Sequence, residues 1–544
     1  MTLIVRSLIL AVIAGAVLAP AAHASSDQSS IMMDDDLLVY RGPDVAKRSM
    51  QHMKQLGADT IRVTLLWSVV GQKTRFTKAE IKRISGSKAR AAARKQTRRF
   101  RASSPKTYPQ GNWDAYDNIV RIARSVGLRV YFNVTGPGPR WAHRKPPRRL
   151  RALRKTYKPN PRQFKLFTTA AGKRYSGAYA DENQGKTKLP RVSMWSLWNE
   201  PNQAGWLSPQ WERIRGAGRV MVSPVLFRRL HQQGYRGLAG SGHTVSSDII
   251  LLAETAPQGS AKRQPKSPPY PKSFLRELAC LKSNGKKYRG RAAKARSCNR
   301  FGAKLRANGY AHHPYTKNVP TTTRHKNNNA LTMANISELG DLLDSLSKKS
   351  GGRIPDDLPL WMTEFGFETN PPDPFNGVSL AEQARYNQLG ELLAMLNPRI
   401  AAQAQFLLRD VAPVAGRDPD SKGYWFTYQS GLQFENNALK PAGLAYRFGF
   451  LAFPGAVDAA TGRQSFSFWG QARFLPDGAT QRITIQWRQK GTAGAWQDVG
   501  PAEPINQRGY FQTTRLAPQP APSEWRAILR VGTTVLASSL PTTG

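Results

Sequence analysis

The segment 192-VSMWSLWNEP-201 joins a run of strand-forming residues to a glutamate, Glu200, at the point where the run ends. Similar short runs of β-branched or aromatic residues recur along the chain and alternate with amphipathic stretches. This alternation is typical of parallel strands that are connected by crossover helices. We therefore predict a parallel sheet in which residues 192–198 form a strand and Glu200 follows its carboxyl end.

The complete pattern predicts eight strands and the helices between them. The predicted strands are residues 37–40, 60–67, 128–134, 192–198, 237–240, 310–315, 360–365 and 404–408. Helices are predicted for residues 44–56, 113–126, 224–233, 333–346, 380–396 and 441–450. Eight such units indicate an α/β fold, a (β/α)8 TIM barrel, enlarged by insertions beyond its usual length of about 250 residues. An open doubly wound sheet is the alternative. That fold usually has a glycine-rich phosphate loop after its first strand, and Tyr40-Arg41-Gly42-Pro43 is not one.

The chain after Pro454 has a different pattern. Short alternating runs at residues 465–469, 482–488, 509–513 and 525–531 predict a small C-terminal antiparallel β-sandwich. We therefore expect three parts. They are a signal peptide at residues 1–24, a catalytic barrel domain at residues 25–453 and a sandwich domain at residues 454–544.

The N-terminus has the order of a secretory signal peptide. Arg6 precedes an apolar run at residues 8–18, and Ala22-His23-Ala24 forms a small-x-small cleavage site. We expect cleavage after Ala24 and a secreted, extracellular protein. In that oxidising setting we predict a disulfide between Cys280 and Cys298, with two unpaired thiols as the alternative. No internal run reaches the roughly 18 to 20 apolar residues that a membrane-spanning helix needs, so we expect no transmembrane segment.

The charge of the chain is strongly positive. The chain has 544 residues with 81 Lys and Arg against 35 Asp and Glu, a formal net charge of +46. Most of this excess lies in three segments, at about residues 71–107, 137–191 and 258–307, which resemble loops inserted into the barrel. Such a surface attracts polyanions, although for any one segment a solvated surface without a ligand is the simpler interpretation.

Two glutamates carry the predicted chemistry. Glu200 follows the fourth predicted strand and Glu364 follows the seventh, and both lie among apolar and aromatic residues. Active sites of TIM barrels are built at the carboxyl ends of the strands, so the two side chains should meet. A partly desolvated carboxyl keeps its proton while a second one near donors stays ionised, which is the division of roles that glycoside hydrolysis needs.

Four motifs together resemble a clan of retaining (β/α)8 glycoside hydrolases, which includes cellulase-like and β-xylosidase- or iduronidase-like families. They are Asn199-Glu200-Pro201, the segment around Glu364, the strand that contains Arg62, and His313-Pro314-Tyr315. The whole resembles a secreted member of actinobacterial type. The resemblance implies Glu200 as the catalytic acid/base and Glu364 as the catalytic nucleophile.

The resemblance also implies roles for substrate-binding residues. Asn199 would donate to the sugar 2-hydroxyl, Arg62 would keep the nucleophile ionised, and Tyr315 would hydrogen-bond it. His313 would line the sugar site, with His312 as an alternative. The His-Glu pair that some cellulase-like members carry after the third strand is not found here, so the individual family stays open.

Tryptophans are candidates for stacking on sugar rings, because an aromatic face covers the apolar side of a pyranose. The candidates are Trp141, Trp206 and Trp425, of which Trp425 is favoured by its position after the eighth strand. His143, His243 and His325 lack the spacing of metal ligands, so we predict no metal site and no cofactor.

The expected partner is a carbohydrate. The basic segments indicate either an anionic glycan as substrate, or a neutral substrate with the loops bound to an anionic cell envelope. The alternative class is a non-catalytic barrel protein that binds a polyanion or a glycan. We do not expect nucleic acid as the partner, because no helix-turn-helix or RNA-binding signature accompanies the basic segments.

Overall fold

The computed structural model describes residues 27–185, 187–474 and 481–543. The predicted signal peptide lies outside these residues. Eight parallel strands close a barrel in which each strand pairs with its neighbours in sequence and β8 pairs with β1. The strands are β1 (Ser29–Met33), β2 (Thr60–Leu66), β3 (Arg129–Thr135), β4 (Met194–Leu197), β5 (Ile249–Thr255), β6 (Gly309–His312), β7 (Leu360–Met362) and β8 (Ile400–Phe406). The predicted TIM barrel is therefore confirmed, and the open sheet is excluded.

A helix follows each strand and covers the outside of the barrel. The helices are α1 (Pro43–Gln55), α2 (Asp114–Val126), α3 (Pro161–Arg174), α4 (Ser223–Ala239), α5 (Pro271–Leu278), α6 (Ser337–Ser350), α7 (Leu380–Met395) and α8 (Pro441–Arg447). Their apolar faces pack on the strands, as the buried Ile119 and Val120 of α2 illustrate. This arrangement directs the carboxyl ends of all eight strands to one face.

The predicted first strand was wrong. Residues 36–40 form a π-helical turn, and β1 is the preceding segment Ser29–Met33. The side chain of Asp34 accepts a hydrogen bond from the backbone N–H of Leu37 at 3.0 Å, and its carbonyl accepts one from Leu38 at 3.0 Å. These bonds turn the chain immediately after β1. The apolar run at Leu37 is therefore buried in a turn instead of a sheet.

The predicted fifth strand was also wrong. Residues 237–239 are the end of α4, and the fifth strand is Ile249–Thr255. Gly237 lies in contact with Thr168 and with the backbone of α3, so a side chain at this position would separate the two helices. Gly237 therefore serves close helix packing, and the fifth strand begins twelve residues later, at Ile249.

The three basic segments follow β2, β3 and β5, at the face where the strands end. They contain regular structure, including the helices Lys78–Arg83 and Ser87–Arg99 in the first segment. The second segment contains α3, which packs against α4 and belongs to the barrel. In the third segment, Cys280 and Cys298 form the predicted disulfide.

The C-terminal part is a sandwich of two antiparallel sheets, as predicted. One sheet contains β9 (Phe448–Val457), β10 (Gln464–Ala472) and β12 (Tyr510–Leu516). The other is built on β11 (Gln481–Gln489), β13 (Ser523–Val531) and β14 (Thr534–Ser538). Because β9 begins at Phe448, the predicted boundary at residue 454 falls inside a strand. Within the described residues, no helix is long and apolar enough to cross a membrane.

Candidate active site

A cleft of about 1040 Å³ opens at the carboxyl ends of the barrel strands. Glu200 follows β4 and Glu364 follows β7, and both line this cleft together with Asn199 and Tyr315. One carboxylate oxygen of Glu200, one of Glu364 and a ring nitrogen of His313 all lie within 4.8 Å of one another. The fold thus brings the two glutamates that the sequence singled out into direct proximity.

Glu364 is surrounded by donors. Arg62 Nη1 lies 3.0 Å from its Oε1, and the Tyr315 hydroxyl donates a hydrogen bond to its Oε2 at 3.1 Å. Burial raises the pKa of the Glu364 carboxyl above its ordinary value, while the positive charges of His313 and Arg62 oppose that rise. The structure therefore places Arg62 and Tyr315 where they can stabilise negative charge on Glu364.

Arg62 lies under the cleft floor and is fully buried. Its Nη2 donates to Asn199 Oδ1 at 2.9 Å and also pairs with Glu254. Arg62 therefore orients the Asn199 amide, whose oxygen is occupied by this bond. The remaining Asn199 donors are available to a ligand in the cleft.

Glu254, at the end of β5, is a site residue that sequence reasoning missed. It is fully buried and accepts hydrogen bonds from Arg62, from the Tyr131 hydroxyl and from the Ser196 hydroxyl. Burial alone would raise the pKa of this carboxyl, but the charges of Arg62 and His313 outweigh burial and lower it to about 2. Glu254 is therefore a negative charge next to Arg62 and His313, the two cations that also contact Glu364.

His313 lies between three carboxylates. Its Nε2 is 3.1 Å from Glu254 Oε2, its Nδ1 is 3.1 Å from Glu200 Oε1, and the same Nδ1 is 3.4 Å from Glu364 Oε2. Burial would lower the pKa of the imidazole, yet the surrounding carboxylates raise it to about 9. With both ring nitrogens facing acceptors, His313 is an imidazolium cation at neutral pH.

His312, the alternative to His313, has a different environment. Its Nδ1 bonds the Thr255 hydroxyl at 2.8 Å and its Nε2 bonds the Leu331 carbonyl at 2.9 Å. Burial is the main reason that its pKa falls to about 3. His312 is thus a neutral residue of the barrel interior, and the site histidine is His313.

The backbone at the ends of β4 and β5 is unusual. Trp198 and Glu200 have φ values of 81° and 35°, and Ala253 and Glu254 have φ values of 80° and 76°. Residues other than glycine rarely adopt this left-handed region, and such strain concentrates at functional sites. The Glu200 N–H donates to the Glu254 carbonyl at 3.0 Å, which ties the two strained segments together. The two glutamates therefore have coupled backbone positions.

The aromatic residues of the cleft differ from the predicted ones. Among the three candidates only Trp206 lines it, in company with Tyr428 and Phe406. Trp141 packs at the edge of Trp67 and lines a separate groove. Trp425 lines a neighbouring cavity of about 430 Å³ that also contains Asp410. Trp141 and Trp425 are therefore not among the described residues that line this cleft, and their stacking on sugar rings stays a prediction.

The charges that line the cleft are mostly acidic. Asp35, Asp36 and Glu368 accompany Glu200 and Glu364, and Lys317 is the one basic side chain in the described lining. The basic segment after β5 contributes Gln258, Gly259 and Pro268 to the wall, none of them charged. The positive charge of the insertions therefore lies outside this cleft.

Glu200, His313 and Glu364 also have the spacing of a metal-binding group. Both ring nitrogens of His313 face carboxylate oxygens, one of Glu200 and one of Glu254. The arrangement suits proton transfer by one carboxylate and nucleophilic attack by the other.

No protein-family model matches the chain. A search of curated proteins likewise finds no match. Among solved structures, the chain resembles a monomeric β-xylosidase from Caulobacter crescentus with 11% identity and a TM-score of 0.46, covering 95% of this chain and 99% of that one.

Two further structures have similar values. A GH5_18 protein from Bifidobacterium longum subsp. infantis has 14% identity and a TM-score of 0.41, with 77% of each chain covered. The virulence factor SghA from Agrobacterium tumefaciens has 14% identity and a TM-score of 0.41, with 78% of this chain and 97% of that chain covered. Similarity this low carries no conclusion about activity, so the function must be argued from the geometry of the site.

Proposed function

We propose that the protein is a retaining glycoside hydrolase with Glu364 as nucleophile and Glu200 as acid/base. The observation that carries the proposal is the separation of the two carboxylates, whose nearest oxygens lie within 4.8 Å of each other. Retaining enzymes hold their carboxyl groups about 5 to 5.5 Å apart, whereas inverting enzymes need about 6.5 to 9.5 Å to admit water between them. The short separation favours double displacement.

The distribution of charge supports this assignment of roles. Three carboxylates, Glu200, Glu254 and Glu364, face two cations, Arg62 and His313. Glu254 remains ionised, so one proton on the Glu200–Glu364 pair makes the group neutral. Arg62 and the Tyr315 hydroxyl both contact Glu364, which suits the nucleophile role for Glu364 and leaves the acid/base role to Glu200.

The reaction then proceeds in two steps. Glu200 donates its proton to the glycosidic oxygen while a Glu364 oxygen bonds to the anomeric carbon and the leaving group departs. Glu200, now a carboxylate, removes a proton from water, whose oxygen displaces Glu364 from the anomeric carbon. Both glutamates thus return to their starting protonation states.

We propose a neutral glycan as the substrate. Lys317 is the one basic residue in the described lining of the cleft, and Arg62 beneath it is already paired with Glu254 and Glu364. An acidic polymer in this cleft would face Asp35, Asp36 and Glu368 without enough cations to pair with. An anionic substrate, one of the two interpretations of the basic segments, is therefore less well supported than a neutral one.

We also propose that the protein is secreted. The order of residues 1–24 supports export, and the Cys280–Cys298 disulfide is the kind of cross-link that persists in oxidising compartments.

The test is hydrolysis of a panel of neutral and uronic-acid polysaccharides by the wild-type protein, Glu364→Gln and Glu200→Gln. We expect cleavage of a neutral glycan that falls by at least about a thousandfold in Glu364→Gln, with unchanged melting temperature. Cleavage confined to uronic-acid polymers would contradict the proposed substrate and leave the mechanism standing. Binding of glycans without any cleavage would instead support the non-catalytic alternative.

A further inference from the structure

A second groove, of about 680 Å³, lies between the segment after β2 and the beginning of the loop after β3. It shares no lining residue with the catalytic cleft. The Ser68 N–H donates to the Pro137 carbonyl at 2.9 Å, and a side chain on Gly71 would meet Pro139 Cγ at 2.8 Å. These contacts hold the two loops together. The two walls of the groove are therefore in direct contact with each other, at the face of the barrel where the strands end.

The groove has a surplus of positive charge. Lys73, Arg75, Arg83 and Arg140 line it, against a single acid, Glu80. Glu80 lies 3.6 Å from Arg140 and also caps the helix Lys78–Arg83, accepting from the Thr77 N–H at 2.7 Å. In the described part of the chain the other three cations have no ion pair. The groove therefore presents three uncompensated positive charges.

Arg75 is held in place without a carboxylate. Its guanidinium lies 4.8 Å from the ring centre of Trp141 and 5.4 Å from that of Phe100. The Trp141 indole N–H donates to the Thr74 hydroxyl at 3.1 Å, and that hydroxyl donates to the Gly71 carbonyl at 2.6 Å. Because aromatic rings hold this guanidinium in position, its N–H groups can donate hydrogen bonds to an anion in the groove.

We propose that this groove binds a stretch of a uronic-acid polysaccharide. The cations supply partners for carboxylates, while Phe76, Ile84 and Trp141 supply apolar surface for the sugar rings between them. Nucleic acid is the weaker candidate, because non-specific binding of single strands uses several aromatic platforms in succession and this groove contains two aromatic residues. The volume is within the range of about 300 to 1000 Å³ that ligand sites occupy.

The function of such a site would be to retain the enzyme on an acidic matrix while the cleft cuts another chain. The groove and the cleft open at the same face of the barrel, since the walls of both are loops that follow strand ends. Binding at the groove does not depend on the catalytic mechanism, so the two proposals can fail separately.

The test measures equilibrium binding of polygalacturonate to the full-length protein by affinity electrophoresis at low and high salt. The variant is Arg75→Gln with Arg140→Gln. Its matched control is Arg289→Gln with Arg291→Gln, which removes the same charge from exposed positions outside the groove. We expect binding about tenfold weaker in the groove variant and changed less than twofold in the control, with unchanged melting temperatures. Neutral pullulan should not bind to the groove.

Equal losses in the two variants would overturn the proposal, since binding would then follow total charge. A wild-type protein that does not bind polygalacturonate at low salt would also overturn it. A third contrary result is a single-stranded oligonucleotide that binds more tightly than polygalacturonate and depends on the same residues, which would assign the groove to nucleic acid. If Arg75→Gln lowers the melting temperature, Lys73→Gln with Arg140→Gln replaces it, because both of these side chains are exposed.

Discussion

Glu254 and His313 form a buried pair in which the imidazole Nε2 lies 3.1 Å from the carboxylate Oε2. The opposite ring nitrogen, Nδ1, lies 3.1 Å from Glu200 Oε1. The imidazolium ring therefore lies between the carboxylates of Glu254 and Glu200, so the charge of Glu254 affects Glu200 through His313. Neither Glu254 nor His313 has to touch the substrate for this effect. The pair therefore sets the electrostatic environment of Glu200, the proposed acid/base.

Replacing Glu254 with glutamine should change the pH dependence of activity. Without the Glu254 charge the pKa of His313 should fall, so the alkaline limit of kcat/KM should move to lower pH. We expect kcat to fall by roughly ten- to a hundredfold, because the imidazolium would be misplaced, with a smaller change in KM. The control is Glu391→Gln, which removes another buried carboxylate, one paired with Arg473 at 3.1 Å outside the cleft. A pH profile that Glu254→Gln leaves unchanged would show that Glu254 has only a structural role.

His313 should make stability depend on pH in the alkaline range. Its pKa is about 9 in the folded protein against an ordinary value of 6.5. The stabilisation is therefore fully present below pH 6.5 and is lost as pH rises through 9. Chemical denaturation at pH 6, 8 and 10 should show this loss in the wild type and a smaller one in His313→Gln. If the free energy of unfolding changed with pH equally in the wild type and in His313→Gln, the assignment of His313 as an imidazolium would be contradicted.

Trp206 should contribute to substrate binding, because it lines the cleft and Trp425 does not. Trp206→Ala should raise KM by roughly three- to tenfold through loss of stacking and change kcat little. Trp425→Ala is the matched control and should leave KM within twofold. If Trp425→Ala raised KM more than Trp206→Ala did, the substrate would occupy the cavity beside Trp425.

Removing the disulfide should affect stability without affecting catalysis. Cys280 and Cys298 are 18 residues apart in sequence, and neither lines the cleft. Closing a loop of this length restricts the unfolded chain, so Cys280→Ser with Cys298→Ser should lower the free energy of unfolding by about 2 to 4 kcal/mol. Urea denaturation measures this change, while kcat/KM at 25 °C should stay within twofold. A large fall in kcat/KM of the folded variant would indicate that the disulfide positions the part of the third basic segment that forms the cleft wall.

The sequence predicted the barrel and the proximity of Glu200 and Glu364, because both glutamates follow recognisable strands and the barrel brings strand ends together. Arg62 and Tyr315 were singled out by the resemblance to the glycoside hydrolase clan, and the structure places both beside Glu364. The reasoning from strand ends could also have found Glu254, since residues 249–253 read IILLA before it. It was missed because a glycine-containing helix end was assigned to the fifth strand.

The positions of Trp141 and Trp425 could not be predicted in the same way. Both lie on long loops, where the contacts made by the loop decide which cavity the side chain enters. Trp141 is held by Trp67 and Thr74, and Trp425 donates its indole N–H to the Pro419 carbonyl at 3.0 Å. Such contacts depend on tertiary packing, and nearness to a strand end in sequence does not reveal them.

The central claim is double displacement by Glu200 and Glu364. Its most direct test is proton NMR of the wild-type reaction with the glycan that the panel identifies, following the anomeric signal of the first product before mutarotation. The account predicts that the first-formed anomer has the configuration of the cleaved bond, because two displacements restore it. A first product of inverted configuration would show that water attacks the anomeric carbon directly and would contradict the assignment of Glu364 as nucleophile.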